Sequence, residues 1–286
     1  MFLTKGSHDY ELLDSGAGMK LERFGAYVLA RPDPEALWRP LQDKPVWQRA
    51  DATFVRKGKE VQWIKNKNLP TTWNITLSGL TFEIKPTTFK HTGIFPEQSA
   101  NWDFIREKIK KAAREVHMLN LFGYTGGATL AALESGAKVT HVDGSKTALA
   151  WAKKNQQLSG LGEKTVRFML DDALMFLKRE IKRGVRYDAV IMDPPAFGRG
   201  PKGEVWKIEE QFVELFELCL KVLSDTPLFF VINGYASGHS PTAYKNNLLL
   251  LQEKYEGDIE TGELGIEEKN TGRVLPAGIV ARWYKN

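Results

Sequence analysis

From residue 99 onward the chain alternates short, predominantly apolar segments with helical ones, and this alternation admits few architectures. Residues 99–115 carry Trp102, Ile105, Ile109 and Ala112 at helical spacing. Residues 116–122 then read as a strand, 123–127 as a glycine turn and 128–134 as a helix. The unit recurs: strands are predicted at 139–142, 166–170, 187–192 and 228–232, and helices at 146–158, 173–182 and 212–223. Strands with no polar face need helices on both sides. The expected fold is therefore α/β: a doubly wound, mostly parallel, seven-stranded sheet closed by a strand pair at 257–266 and 273–283.

Residues 1–90 lack that rhythm. Short β-branched and aromatic stretches at 26–30, 53–55, 61–64, 73–77 and 80–84 are broken by Gly58, Asn66, Asn68, Pro70 and Gly79. A small β-rich domain over 1–90 and a larger domain over 91–286 are expected. Between Arg49 and Lys90 stand eight basic residues (Arg49, Arg56, Lys57, Lys59, Lys65, Lys67, Lys85 and Lys90) against three acids, which accounts for the whole net charge of +5. Trp38, Trp47, Trp63 and Trp73 lie in or beside this stretch. Basic groups beside aromatic rings suit a nucleic-acid strand; a solvated face over core tryptophans is the alternative.

No apolar run approaches the ~20 residues of a membrane helix. The first ten residues lack a signal-peptide pattern, and one cysteine makes no disulfide. A soluble, cytoplasmic protein with no membrane partner is expected. The five histidines show no metal-ligand spacing, so no metal is expected.

In an open α/β sheet the chemistry collects beyond the carboxyl ends of the strands. The first strand ends in Asn120-Leu121-Phe122-Gly123-Tyr124-Thr125-Gly126-Gly127, whose glycines let a ligand approach the backbone or simply pack the next helix. Thr125 and Ala128 stand where a nicotinamide fingerprint needs glycine, which argues against a nucleotide-dependent oxidoreductase. Asp143 ends the second strand and can accept both hydroxyls of a ribose, or cap the next helix together with Gly144 and Ser145. After the third strand, one of Asp171 and Asp172 is expected to cap the helix at Ala173 and the other, preferably Asp172, to take an adenine amino group. The fourth strand runs into Asp193-Pro194-Pro195-Ala196-Phe197-Gly198. Two prolines remove two N–H donors and leave carbonyls to face a ligand. The segment 198–205, rich in Gly and Pro, is expected to be a mobile lip over the acceptor.

With these elements the chain resembles a class I S-adenosylmethionine-dependent methyltransferase from about Thr92 to its end. More closely, it is similar to the bacterial family of large-subunit ribosomal RNA methyltransferases acting at cytosine C5 and guanine N7. The residues that carry the resemblance are the turn 119–127, the upstream Thr92-Gly93-Ile94-Phe95-Pro96-Glu97-Gln98 and the Asp-Pro-Pro-x-Phe element. It implies S-adenosyl-L-methionine as cofactor. Phe122, Gly123, Tyr124, Thr125 and Gly126 would hold its methionine part, and Asn120 would face its ammonium group. Asp143, Gly144 and Ser145 would meet the ribose, Asp172 and Ala173 the adenine, and Phe95 and Gln98 would close over it. Asp193, Pro194, Pro195 and Phe197 are the expected catalytic residues. Cys219 lies among Leu215, Phe216, Val222 and Leu223 and reads as a core residue, so methyl transfer to a nitrogen without a cysteine adduct is expected. An RNA base is the expected acceptor; a small molecule or protein is the alternative, followed by a cofactor-binding module without catalysis.

Overall fold

The structure is a computed structural model that describes every residue but Lys59, Lys67, Phe89, Ala236, Ser237 and Asn286, and leaves out the Lys57 side chain. It divides into two compact units. One comprises Phe2–Ala100 with Leu264–Ala277, the other Asn101–Glu263 with Gly278–Asn286. The N-terminal unit thus extends past residue 90 and takes back a late segment that contiguous domain limits leave out.

That unit holds β1 (Phe2–Thr4), β2 (Tyr10–Gly16), β3 (Met19–Phe24), β4 (Tyr27–Pro32), α1 (Lys44–Gln48), β5 (Ala52–Lys57), β6 (Glu60–Lys65), β7 (Trp73–Leu77) and β8 (Leu80–Ile84). Strands β2 to β6 form one sheet in chain order, antiparallel but for the β4–β5 pair, and β7–β8 is a separate hairpin. β2 and β3 escape sequence reading because Asp14, Lys20 and Glu22 look like surface charges. They are buried. Arg31 grips Glu22 through Nε (2.5 Å) and Nη2 (3.0 Å), and the Tyr10 hydroxyl donates to the same carboxylate at 2.8 Å. These donors hold the Glu22 carboxyl at about 2 against the burial that would raise it.

The second unit holds α2 (Ser99–Lys111), β9 (His117–Leu121), α3 (Gly127–Glu134), β10 (Lys138–Asp143), α4 (Lys146–Leu158), β11 (Val166–Leu170), α5 (Ala173–Arg183) and β12 (Ala189–Met192). There follow β13 (Phe197–Arg199), β14 (Val205–Lys207), α6 (Ile208–Val222), β15 (Phe229–Gly234) and α7 (Pro241–Tyr255), then β16 (Asp258–Glu267) and β17 (Val274–Tyr284), whose stretch 264–277 is counted with the N-terminal unit. The sheet order is β1-β16-β17-β15-β12-β9-β10-β11. β9 to β12 and β15 run parallel; β17 is antiparallel to β15. The expected doubly wound fold is present with an eighth strand, because β1 pairs with the far end of β16. Side chains of Leu119, Leu121, Val190, Met192, Phe230 and Ile232 form a buried core with Phe176, Phe216 and Trp283. Cys219 is in that core, and burial pushes its thiol far above the usual range. No helix among the described residues is long and apolar enough to cross a membrane.

Replacing Glu22 by Gln leaves the buried Arg31 without its counter-charge, and a loss of about 3–5 kcal/mol in urea unfolding is expected. Because the carboxyl is depressed in the folded state, its contribution is present above its ordinary value near 4.5 and fades as pH falls toward about 2. Urea midpoints measured from pH 7 to pH 3 should fall less steeply in the variant than in the wild type.

Candidate active site

The chain winds outward from β9 through β10 to β11, then returns to place β12 on the other side of β9. The carboxyl end of β9 is therefore the switch point, where a crevice opens in such sheets. The turn there carries backbone strain. Phe122 and Tyr124 have φ of 56° and 47°, a region that costs non-glycine residues about 1–3 kcal/mol, and Gly126 has φ 94°. Its glycines are also hemmed in. A Cβ on Gly123 would lie 2.4 Å from the His141 ring, and one on Gly127 2.4 Å from Trp102. Packing thus demands these glycines irrespective of any ligand.

Asp143 ties the turn to the neighbouring strand. Its Oδ2 accepts the Tyr124 N–H at 2.8 Å and its Oδ1 the Ser145 N–H at 2.7 Å. Burial raises its carboxyl above the usual range, the two N–H donors opposing. A carboxylate has about four lone-pair sites, so two remain for hydroxyl donors, as a ribose would require. Ser145 caps α4 by accepting from Ala148 at 3.2 Å. Asn120 is buried and donates from Nδ2 to Thr129 Oγ1 at 2.9 Å, and Thr129 meets His141 Nδ1 at 2.8 Å. Burial lowers His141 to about 3, so the ring is neutral and can accept the Thr129 proton. With Nδ2 committed, Oδ1 is the group that Asn120 can offer to an ammonium.

The expected division of labour between Asp171 and Asp172 is corrected. Asp172 itself caps α5, its Oδ1 accepting the Met175 N–H at 2.9 Å, while Asp171 is paired with Arg179. Any adenine contact of Asp172 falls to its other oxygen. Ala173, next in line, is buried.

The Asp-Pro-Pro-x-Phe element follows β12. Pro194 is buried, whereas Pro195 and Phe197 are exposed, Phe197 at 57%. The Pro195 carbonyl accepts the Trp206 indole N–H at 2.6 Å, which uses one of its two lone pairs. Trp206 is buried against Phe122, with ring centres 5.3 Å apart. At the two ends of the segment 198–205, β13 and β14 pair as a hairpin, and the Arg199 carbonyl lies 3.3 Å from the place a Gly144 Cβ would take. Bulk at Gly144 would meet this hairpin.

Sequence reasoning missed Trp206, His141 and Thr129, each an ordinary core residue by pattern. It also missed Tyr244 on α7, which lies over Gly234 at the end of β15 and stacks on Phe212 with centres 5.4 Å apart. Phe95 and Gln98 belong to the N-terminal unit, in the segment whose Pro96 and Glu97 carbonyls accept the Thr4 hydroxyl at 3.2 and 3.3 Å. In that unit all four singled-out indoles are spent internally: Trp38 on Ser15, Trp47 on Asp14, Trp63 on Thr87 and Trp73 on Phe24. Lys59 and Lys67 lie outside the described residues; Arg49, Arg56, Lys65 and Lys85 are exposed.

A family model described as S-adenosylmethionine-dependent methyltransferase matches residues 47–239. The chain belongs to this family. The methyltransferase match begins well before Thr92, inside the N-terminal unit. A solved S-adenosylmethionine-dependent methyltransferase from Agrobacterium tumefaciens is 39% identical, with a TM-score of 0.93 over 99% of this chain and 93% of that one. The ribosomal RNA large subunit methyltransferase K of Neisseria meningitidis is 30% identical over 57% of this chain and 46% of its own. The corresponding K/L methyltransferase of Shewanella sp. strain MR-4 is 35% identical over 51% and 20%. The chain thus spans less than half the length of these curated relatives. S-adenosylmethionine is the methyltransferase's cofactor, and the strained turn with its half-buried Asp143 suits it.

Gly123→Ala should displace the turn from His141, costing about 1–3 kcal/mol of stability and most of the affinity for S-adenosylhomocysteine. The double variant with His141→Ala should regain much of both. Additive losses in calorimetric titration and thermal melts would contradict the steric account.

Proposed function

We propose that this methyltransferase transfers methyl to a nitrogen of an RNA base, without a cysteine adduct. The observation that carries the cofactor site is the Asp143 carboxylate, half-buried at the switch point and bonded to both neighbouring loops through backbone N–H groups. In this reading Asp143, with Gly144 and Ser145, meets the ribose, and the second oxygen of Asp172, beside Ala173, meets the adenine. Phe122, Gly123, Tyr124, Thr125 and Gly126 line the methionine part, and Asn120 Oδ1 accepts from its ammonium.

When bound, S-adenosylmethionine supplies an electrophilic methyl on its sulfonium, so the chain has mainly to align an acceptor and exclude water. Asp193 accepts a hydrogen bond from the acceptor N–H and takes its proton as the nitrogen becomes methylated. Pro194 and Pro195 hold that carboxylate on a stiff backbone, and the exposed Phe197 ring offers a face for a flat base. The buried Cys219 thiol is protonated and has no part in it. RNA as acceptor is supported by the names of the curated relatives and by the exposed Arg56 and Lys65 on the β5–β6 hairpin.

Purified enzyme with methyl-labelled cofactor, incubated with an extract of cells lacking the protein, should place label in the RNA fraction. Asp193→Ala should reduce that label by about 10²-fold or more. Label confined to the protein or small-molecule fraction would contradict the RNA reading and leave the methyltransferase intact.

A further inference from the structure

One buried polar chain in the second unit lies outside the residues assigned to the cofactor. Arg282, on β17, is 4% exposed and donates from Nε and Nη2 to Asn101 Oδ1, at 2.9 and 2.6 Å. Asn101, fully buried at the start of α2, donates from Nδ2 to Asn233 Oδ1 at 2.7 Å. The direction of this chain is not a matter of choice. A guanidinium only donates, so the oxygen of Asn101 must face Arg282 and its amide nitrogen must face Asn233. Asn233, 1% exposed, is held in turn by its oxygen, and among the described residues the chain ends at its own NH₂ group.

Its position gives that end a meaning. Asn120, Ile191 and Val231 are side by side in register across β9, β12 and β15, so their side chains share one face of the sheet. Asn233 is two residues beyond Val231 and returns to that face at the carboxyl edge of β15. Met192 pairs with Ile232, so the residues that follow on the two strands are Asp193 and Asn233. A carboxylate that only accepts and an amide fixed so as to donate thus leave adjacent strands at the crevice, on the face that carries Asn120.

We propose that Asn233 is an acceptor-binding residue, its NH₂ donating to a ring nitrogen or carbonyl of the base while Asp193 receives the neighbouring N–H, and that Asn101 and Arg282 are positioning residues that fix its polarity. The proposal rests on a base as methyl acceptor. It predicts a ligand edge with a hydrogen-bond acceptor and a donor side by side. Burial lowers Arg282 to about 10, which still leaves it charged at neutral pH and able to anchor the chain.

Two variants test it, each read by methyl transfer to the labelled fraction, by S-adenosylhomocysteine affinity and by melting temperature. Asn101→Asp keeps an acceptor for Arg282 but gives Asn233 a partner that only accepts. The Asn233 amide should then turn, present its oxygen to the crevice, and lower kcat/KM for the acceptor about tenfold or more. Cofactor-product affinity should stay within about twofold, and the melting temperature should hold. Asn233→Asp should lose a similar factor at pH 8 and regain part of it as pH falls and the new carboxyl acquires a proton to donate; the wild type should show no such gain. Unchanged kcat/KM in both variants, a parallel loss of S-adenosylhomocysteine affinity, or a fall in melting temperature with no rescue at low pH would overturn the proposal. Wild-type label outside RNA would sink the RNA reading instead, and the same variants would then be scored on whichever fraction takes the label.

Discussion

Everything at the carboxyl edge of the sheet depends on how the turn after β9 is pinned. Asp143 reaches back from β10 to bond the Tyr124 N–H, and His141, two residues earlier on the same strand, occupies the space beside Gly123. One interaction is attractive and the other is steric exclusion. Together they allow Phe122 and Tyr124 to persist at positive φ, where isolated residues of their kind would relax. From the pinned turn follow the start of α3, the orientation of Asn120 through Thr129, and the shape of the crevice between β9 and β12. A half-buried carboxylate whose oxygens are each half-used is unfavourable on its own terms. It becomes reasonable where a polyhydroxylated ligand completes its hydrogen bonds.

The parallel sheet was legible because its strands are mostly buried and rich in apolar residues. The strands 166–170 and the helix 146–158 were located to the residue. Caps were equally legible in kind: Ser145 and Asp172 do what their residue types favour. The limits of reading appear where one side chain serves two ends or a charge is buried. Asp172 and Asp171 are neighbours of identical chemistry, and only Arg179, eight residues on from Asp171, separates their roles. β2 and β3 are hidden by acids whose cationic partners are distant in sequence, Arg31 for Glu22 and Arg273 for Asp14. The β13–β14 hairpin is three residues a side and rich in glycine at its tip, too short for a periodic signal.

The four tryptophans illustrate a different limit. Aromatic residues near a basic stretch carry the same sequence signature whether they stack on a ligand or on the protein. Here each indole N–H is consumed by a carbonyl or carboxylate of its own unit, which makes them struts of the N-terminal unit. What remains for an anionic partner is the exposed cationic side chains, whose attraction is electrostatic and not specific to sequence. In the proposed reading, selectivity for an acceptor is built at the strand ends, by the donors and acceptors around Asp193.

The claim on which the account rests is that the Asp143 carboxylate is the ribose acceptor. A crystal structure with S-adenosylhomocysteine bound tests it most directly. Both ribose hydroxyls are predicted to donate to Asp143, with the Tyr124 and Ser145 N–H bonds kept and Phe122 and Tyr124 still at positive φ. A ribose bound elsewhere, with Asp143 bonded only to the backbone, would contradict it and reduce Asp143 to a brace for the turn.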